Sequence, residues 1–519
     1  MIDQNWLLPA IVGSSLAPGI LIFFLKEEQV ALRTALNLFG AVFKVILVGV
    51  LLHGYFQGTT YEFRYLIGLD MEFHLRVDAL ALLFSALSSV LWLVTTVYAI
   101  GYLEGSANRR RFFGFFSICV TASTGIALAG NVVTFFIFYE FLTLATYPLV
   151  VHLGTKKALE AGRTYLWYTI GGGTVLFVGV VWLFVLVGSV EFGQTHLLQN
   201  LPPEQNLQLF ILFCVIISGL AVKAALVPLH GWLPAAMVAP APVSALLHAV
   251  AVVKAGVFGI TRMVYDVFGL ELAGELGVLY PLAIIAAITI VFGSLRAIAQ
   301  DDLKLRLAYS TVSQLSYITL GIALSGMLAS VGAMVHLVHQ GVMKITLFFC
   351  AGIIAETLKV YRISDMNGIG RRLPLTMTAF TVGAFGMIGL PPVAGFISKW
   401  YLGLGGLEAG YGWVVPLLLV SSLLNAIYFL PILRRAWFCE ADGPWETHRT
   451  SRFWETPGML LFPALFTAAL SILLGLFAGS DWSVVALVRE IVVYWFPEAL
   501  GCLYTGWLSL LYQPLITVP

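Results

Sequence analysis

The sequence predicts an all-α polytopic membrane protein of about fourteen transmembrane helices, some of them discontinuous. Hydrophobic residues make up 60% of the 519 positions and charged residues only 11%, whereas a soluble domain carries about a quarter charged residues. The apolar residues gather into runs of about 20, the length that crosses a hydrocarbon core of about 30 Å as a helix. Charged or Gly/Pro-rich breaks separate the runs. A soluble enzyme and a single-span receptor are both excluded.

In order, the runs cover 6–25, 31–53, 77–100, 112–130, 132–153, 164–188, 207–227, 242–266, 276–293, 306–326, 329–355, 375–401, 411–433 and 457–478. A further stretch near 483–515, interrupted by Arg489, Glu490, Pro497 and Glu498, reads as an interfacial helix or one more span. The first run follows an N-terminus with Asp3 in place of a basic region and no small-residue cleavage site, so a retained helix is expected. Loop charges alternate along the chain. Lys26/Arg33, Arg109 to Arg111, Lys156/Lys157/Arg163, Arg296/Lys304/Arg306, Lys359/Arg362/Arg371/Arg372 and Arg434/Arg435/Arg449/Arg452 fall on one side; Glu191/Glu204, Asp266/Glu271/Glu275 and Glu408 fall on the other. The positive-inside rule makes the basic side cytoplasmic, and an even span count then places both termini outside the cytoplasm.

With 28 basic and 27 acidic residues, no global field points to nucleic acid. The cysteines Cys119, Cys214, Cys350, Cys439 and Cys502 form no C-x-x-C pair, so iron–sulfur, zinc and disulfide frameworks are unsupported. No P-loop is present. Gly171-Gly172-Gly173 lies between apolar residues, where it suits close helix packing. A haem held by His248 and His336 has no support beyond the two residues. The expectation is a chain with no metal, no cofactor and no catalytic chemistry of its own.

Two Pro/Gly-interrupted stretches punctuate the apolar runs. One is Val227-Pro228-Leu229-His230-Gly231-Trp232-Leu233-Pro234 with Pro240-Ala241-Pro242, and the other runs from Gly389-Leu390-Pro391-Pro392 to Lys399. They lie five helices apart, and an odd offset gives them opposite orientation, the pattern of an inverted repeat with discontinuous helices. Ordinary proline kinks are the alternative.

Ionisable residues inside the runs carry the functional signal, because each costs roughly 2.5–3.5 kcal/mol near a helix centre on insertion scales. Glu140, Lys223, Lys254, Lys344 and Lys399 form such a series, with His248 six residues before Lys254. His336, Gln340 and Lys344, at i, i+4 and i+8, form a polar stripe on one helix face, with His339 beside it. Any one lysine could snorkel or form a static ion pair; five together point to proton transfer. Lysine titrates near about 10.4 in water, desolvation favours its neutral form, and a nearby carboxylate favours the charged one. A buried lysine beside a movable carboxylate therefore holds or releases its proton, and histidines suit relay positions.

At these residues the sequence resembles the antiporter-like subunits shared by respiratory complex I and the multisubunit Mrp-type cation/proton antiporters. The resemblance runs from about Asp78 to Lys399. It is most specific from Lys223 through Val-Pro-Leu-His-Gly-Trp-Leu-Pro and Pro-Val-Ser-Ala-Leu-Leu-His248 to Lys254, with support from Arg76-Val77-Asp78, Phe138-Tyr139-Glu140, Ala308 to Gln314 and His336 to Lys344. It implies two inverted five-helix repeats, at 112–266 and 267–437, between N-terminal helices (1–111) and C-terminal helices (438–519) of one membrane domain. Glu140 looks like the family's carboxylate of the fifth helix, partnering Lys223 of the seventh. His248 and Lys254 take the linking positions of the eighth, His336 and Lys344 those of the second repeat, and Lys399 the terminal position. Two departures stand out: Gln340 replaces a histidine, and Ala235 stands where relatives carry Asp. The expected function is a proton-translocating subunit of a Mrp-type Na⁺/H⁺ antiporter in a cell inner (plasma) membrane, with other membrane subunits as partners and protons and Na⁺ as cargo. The alternative is a membrane-arm subunit of a complex I-like NADH:quinone oxidoreductase, or of a related hydrogenase or inorganic-carbon uptake complex.

Overall fold

A computed structural model describes residues 6–68, 71–441, 443, 445 and 454–496. Pro497, Glu498, Cys502 and the rest of the stretch to 515, together with Asp3, Arg449 and Arg452, lie outside the described residues.

The chain is a polytopic all-α membrane protein. Its principal helices are α1 (Leu7–Phe23), α2 (Val30–Phe56), α3 (Ala79–Tyr102), α4 (Arg109–Leu128), α5 (Val132–Val150), α6 (Lys156–Val187) and α7 (Asn206–Lys223). There follow α8, the composite segment Ala241–Phe268, then α9 (Leu279–Ile298), α10 (Leu303–Ala323), α11 (Met327–Leu358), α12 (Pro374–Ile388), α13 (Ala394–Glu408), α14 (Val414–Phe438), α15 (Gly458–Leu476) and α16 (Val484–Trp495). Among the described residues, eleven helices are long and apolar enough to cross a bilayer: α2 to α9, α11, α14 and α15, the seventh reaching back to Pro203. α1 and α12 are apolar but shorter. α10 has 21 residues but carries Lys304, Arg306, Ser310, Thr311, Ser313, Gln314, Ser316 and Thr319.

Side-chain caps set several helix starts by accepting otherwise unpaired first-turn N–H groups. Asp78 accepts from Ala81 N at 2.8 Å, Asn131 from Thr134 N at 2.8 Å and Asp302 from Leu305 N at 2.9 Å. The run at 375–401 is two helices, because the chain breaks at Gly389–Val393 between α12 and α13. α6 begins eight residues before the apolar run at 164, its first turns being polar and largely exposed.

Burial sorts the helices into a centre and a rim. The best spanning window of α8 is 100% buried and that of α11 is 94% buried, against 33% for α6 and α14. A helix buried all round is a core element, and one exposing an apolar face meets lipid or another subunit. His248 and Lys254 on α8 and His336 and Lys344 on α11 therefore lie on central helices, whereas Glu140 and Lys223 come from α5 and α7, whose windows are 56% and 50% buried. Two charges assigned above to basic loops prove buried, Arg33 (2% exposed) and Arg306 (8%), and a third, the half-buried Lys304, donates its Nζ to Ala239 O at 2.5 Å. Arg306 is satisfied by main-chain oxygens of Ile298, Gln300 and Tyr428. Asp266, placed above in an acidic loop, is buried too. It joins Asp78 around Arg262 at 2.7 Å each, and Trp495 Nε1 donates to it at 2.9 Å. This knot ties the start of α3 to the end of α8 and to α16.

A two-stranded hairpin, β1 (Glu62–Gly68) and β2 (Met71–Arg76), connects α2 to α3. Its register pairs Glu62 with Arg76 and Arg64 with His74. It docks on the α4–α5 connection and the start of α5 through His74 N to Thr134 Oγ1 (2.8 Å), Gly130 N to His74 O (2.8 Å) and Asn131 Nδ2 to Glu72 O (2.9 Å), and on the α6–α7 connection through Arg64 to Glu191 (2.7 Å). Glu62, His74 and Glu191 bring their ligand atoms within 4.8 Å of one another. The Arg64 guanidinium already serves as their cation, 2.5 Å from Glu62 and 2.7 Å from Glu191.

Burial alone would raise the Glu62 carboxyl, but hydrogen bonding and attraction to Arg64 outweigh it and hold it below its usual range. Burial, then the Arg64 charge, lower His74. For both groups the undocked state binds more protons, so docking is favoured at neutral pH and weakens on acidification. Weakening begins as pH falls through the ordinary histidine value of about 6.5 and continues below the ordinary glutamate value of about 4.3. Hydrogen exchange at residues 62–76, corrected for intrinsic rates, is expected to quicken between about pH 7.5 and about pH 5; equal protection at both would contradict this electrostatic account.

Candidate functional site

The first cluster lies where α5 meets the C-terminal end of α7. Lys223 is 1% exposed, and its Nζ lies 3.8 Å from Glu140 Oε1 and 3.3 Å from the centre of the Tyr139 ring. It also donates to the Tyr139 carbonyl. Glu140 remains partly open, with its side chain 27% exposed. Gly173 makes this possible, because a Cβ there would meet the Glu140 carboxyl carbon at 2.6 Å. Gly172 does serve helix packing, since a Cβ there would lie 2.7 Å from Val222. The Gly-Gly-Gly run thus packs α6 on α7 and leaves room for a carboxylate.

After Lys223 the chain leaves the helix, and a short turn at Trp232–Ala235 returns to pin it: Trp232 Nε1 donates to Val222 O at 2.7 Å. α8 then passes so close to α7 that a Cβ on Gly256 would overlap the backbone at Lys223 and Ala224. α8 is itself irregular. Residues Leu246–Val250 form a π-helical turn, and Ala251 (φ −118°, ψ −82°) breaks the spiral before Val252–Thr261 resumes it. Such turns are frequent at functional sites because they release main-chain groups from the regular ladder.

Lys254, fully buried, reaches from α8 to α11, donating to Leu337 O at 2.6 Å and to Gln340 Oε1 at 2.5 Å. Gln340, where the family resemblance leads one to expect histidine, is thus a direct partner of Lys254. Farther along α11, Lys344 donates to the Ser310 hydroxyl and to Leu307 O (3.2 Å) of α10. His336 Nδ1 lies 2.8 Å from Ser398 Oγ, the residue before Lys399. Lys399 caps the broken helix: its Nζ donates to Met387 O and Ile388 O at 2.9 Å each, and to Ser422 Oγ at 3.0 Å. The last carbonyls of α12 have no partner inside the helix and carry partial negative charge, so an ammonium is favoured there. Lys399 also lines a groove of about 330 Å³ on the flank with Trp400 and Ser422.

The structure brings together Glu140 with Lys223, Lys254 with Gln340, Lys344 with Ser310, and His336 with Ser398. His248 makes no hydrogen bond among the described residues; its ring lies 4.6 Å from that of Phe348. His336 and Lys344 share a helix face but stand about 12 Å apart along the axis. Both nitrogens of His248 and His339, His336 Nε2, Gln340 Nε2 and both amide atoms of Gln314 are buried without a hydrogen-bond partner among the described residues. Lys304, read above as a loop charge, lines a cavity of about 880 Å³ with Lys157, Asp302 and Glu356, below the 231–241 segment. A smaller cavity of about 290 Å³ at the opposite end is lined by Arg76, Asp78, Arg262 and Glu490.

The family described as NADH:quinone oxidoreductase/Mrp antiporter, TM, matches residues 129–425. The N-terminal family of NADH-ubiquinone oxidoreductase (complex I), chain 5, matches residues 65–113. A protein named NADH-quinone oxidoreductase subunit N, from Desulforudis audaxviator, is 38% identical over 77% of this chain and 81% of its own length. A probable K⁺/H⁺ antiporter subunit from Rhizobium meliloti is 30% identical over 88% of this chain, which spans 47% of that protein. A Na⁺/H⁺ antiporter subunit from Staphylococcus aureus is also 30% identical, over 79% of this chain, with 53% of its own length spanned. The chain therefore covers about half of these antiporter relatives. Among solved structures, a chain of the Mrp complex from Dietzia sp. DQ12-45-1b superposes with a TM-score of 0.82 at 22% identity, covering 98% of this chain and 100% of that one. With more than half of its residues matched and a relative well above 30% identity aligned over most of both lengths, the chain belongs to the antiporter-like membrane subunit family shared by complex I and the Mrp antiporters.

Proposed function

We propose that this chain translocates protons as one membrane subunit of a multisubunit complex, using Glu140, Lys223, His248, Lys254, His336, Lys344 and Lys399 as its proton-transfer groups. The observation that carries the reading is the buried polar axis itself. It comprises the partly open Glu140 beside Lys223, Lys254 bridging the fully buried α8 and α11, Lys344 bonded to α10, and Lys399 in a groove with Trp400 and Ser422. Helices this deeply buried hold charged groups where the bilayer makes them costly, and such groups pair with one another or with main-chain carbonyls along transport routes. The unpartnered imidazole and amide atoms between the lysines are sites that internal water satisfies, and a water chain spans gaps too long for direct transfer. Each proton moved across the membrane exchanges about 2.3 kcal/mol per 100 mV with the potential.

The proposed architecture is fourteen spans with inverted repeats at 112–266 and 267–437, the broken stretches at 224–240 and 389–393 being their equivalent discontinuities. The basic face would be cytoplasmic and both termini outside. The first assembly reading is a Mrp-type Na⁺/H⁺ antiporter, supported by the antiporter relatives. A complex I-like membrane arm is the second; the 38% identity to a subunit N, aligned over 81% of that protein, favours it.

Two outcomes are expected. In the native complex reconstituted with a luminal pH dye, Glu140→Gln and Lys223→Ala each lower proton uptake at least about tenfold while the complex still assembles; wild-type uptake by either assembled variant would contradict the relay. Affinity purification with mass spectrometry is expected to recover further membrane subunits. Small hydrophobic partners alone identify the antiporter assembly, and quinone-, flavin- or iron–sulfur-bearing partners identify the redox-driven one.

A further inference from the structure

Outside both proposed repeats, one more lysine lies deep in the membrane region. Lys44 stands at the middle of α2 and is 1% exposed. Its Nζ donates to Ser15 Oγ of α1 and to Thr124 Oγ1 of α4, each at 2.8 Å, and lies 5.3 Å from the Trp92 ring of α3. Ser15 is also 2.8 Å from Thr121 Oγ1. Two hydroxyls and an indole face thus surround the amine, a third hydroxyl extends the Ser15 arm, and among the described residues the amine has no ion-pair partner. A static buried ammonium is ordinarily held by a carboxylate. Hydroxyls both donate and accept, so this cradle serves a lysine in either protonation state and passes a proton onward.

Polar groups continue from Lys44 toward both ends. On α2 the buried face that carries Lys44 also carries Asn37 and Arg33, at i−7 and i−11. Asn37 Nδ2 donates to Arg33 O at 2.9 Å, and Arg33 lies 3.8 Å from Glu27 at the basic end. On α3, Ser88 and Ser85 share the Trp92 face at i−4 and i−7, and a further seven residues back is Asp78. Ser85 Oγ, Ser88 Oγ and Trp92 Nε1 are buried without a hydrogen-bond partner among the described residues. Buried polar atoms of this kind are the ones ordered water satisfies. Asp78 lines the cavity of about 290 Å³ at the opposite end. The line from Glu27 through Arg33, Asn37, Lys44, Trp92, Ser88 and Ser85 to Asp78 therefore runs from one end of the bundle to the other. It does so without using any group of the Glu140 to Lys399 axis.

We infer that Lys44 is a proton-transfer residue on a second, separate route, confined to α1–α4. In one cycle the Lys44 ammonium gives a proton to the hydroxyl and water chain on one side, and the amine takes one back from the other, for a net transfer of one H⁺. The inference rests on the proposed proton-translocating function and extends it to the N-terminal helices.

The test uses the reconstituted native complex with Lys44→Met, Lys44→Arg and Lys44→His, assembly being checked by size exclusion. Arg keeps the charge but holds its proton, whereas His can exchange one near neutrality. Met and Arg are expected to lower initial proton uptake about twofold or more, and His to restore uptake with its pH profile displaced toward acid. Wild-type uptake in assembled Lys44→Met, or full rescue by Lys44→Arg, would overturn the inference and leave a packing or fixed-charge role. Should Lys44→Met fail to assemble, Lys44→His decides: a displaced profile supports the route and an unchanged one overturns it. Failure of the wild-type complex to move protons would overturn the proposed function together with this route; wild-type transport with unaltered Lys44 variants would overturn the route alone.

Discussion

An ammonium cannot be left bare inside a bilayer, and the protein meets that constraint mainly with its own backbone. Lys223 binds the Tyr139 carbonyl, Lys254 that of Leu337, Lys344 that of Leu307, and Lys399 those of Met387 and Ile388. Carbonyls in an unbroken helix are already engaged by N–H groups four residues on. Making them available beside a lysine favours helix ends and irregular turns. The break between α12 and α13 follows this rule, since Met387 and Ile388 end a helix, whereas the carbonyls of Tyr139, Leu337 and Leu307 lie inside α5, α11 and α10 and take the lysine on a second lone pair. Lys44 departs from the pattern, being held by hydroxyls alone.

The same constraint shapes the packing. α8 and α11, which carry Lys254 and Lys344, are buried all round, while the outer helices take the lipid-facing surface. Close backbone approach then becomes necessary, and glycines provide it. Gly256 lets α8 meet the end of α7, Gly341 lies where a Cβ would be 3.2 Å from Ala249 O, and Gly173 leaves space for the Glu140 carboxylate. Dispersion contacts and small-residue seams hold membrane helices together where no hydrophobic driving force acts between them. The glycines that permit this packing also set the distances along the polar axis.

Much of this was legible in the sequence. Glu140, Lys223, Lys254, Lys344 and Lys399 stand out because each interrupts an apolar run, and the i, i+4, i+8 stripe on α11 follows from helical geometry alone. The Pro/Gly stretches at 228–242 and 389–399 fall where helices end. What escaped is long-range or locally ambiguous. The knot of Asp78, Arg262 and Asp266 joins residues 184 apart in the chain, a pairing that no local pattern reveals. Arg33 and Arg306 sit at helix ends, where an exposed and a buried basic residue look alike in sequence. Lys44 shares its run with the polar ends of α2 and has no neighbouring Pro/Gly break to draw attention to it. The 62–76 hairpin is too short to register between two long apolar runs. His248 was placed on the correct helix, but its packing against Phe348 depends on the π turn.

The central claim is that lysines on the buried axis change protonation state during transport. Solid-state ¹⁵N spectroscopy of lysine-labelled native complex in liposomes tests it directly, with Lys223→Met used to assign the Lys223 side-chain signal. The account predicts that this nitrogen moves between ammonium and free-amine positions when a transmembrane proton gradient is imposed and then collapsed. A Lys223 signal fixed in one state under both conditions would contradict the account.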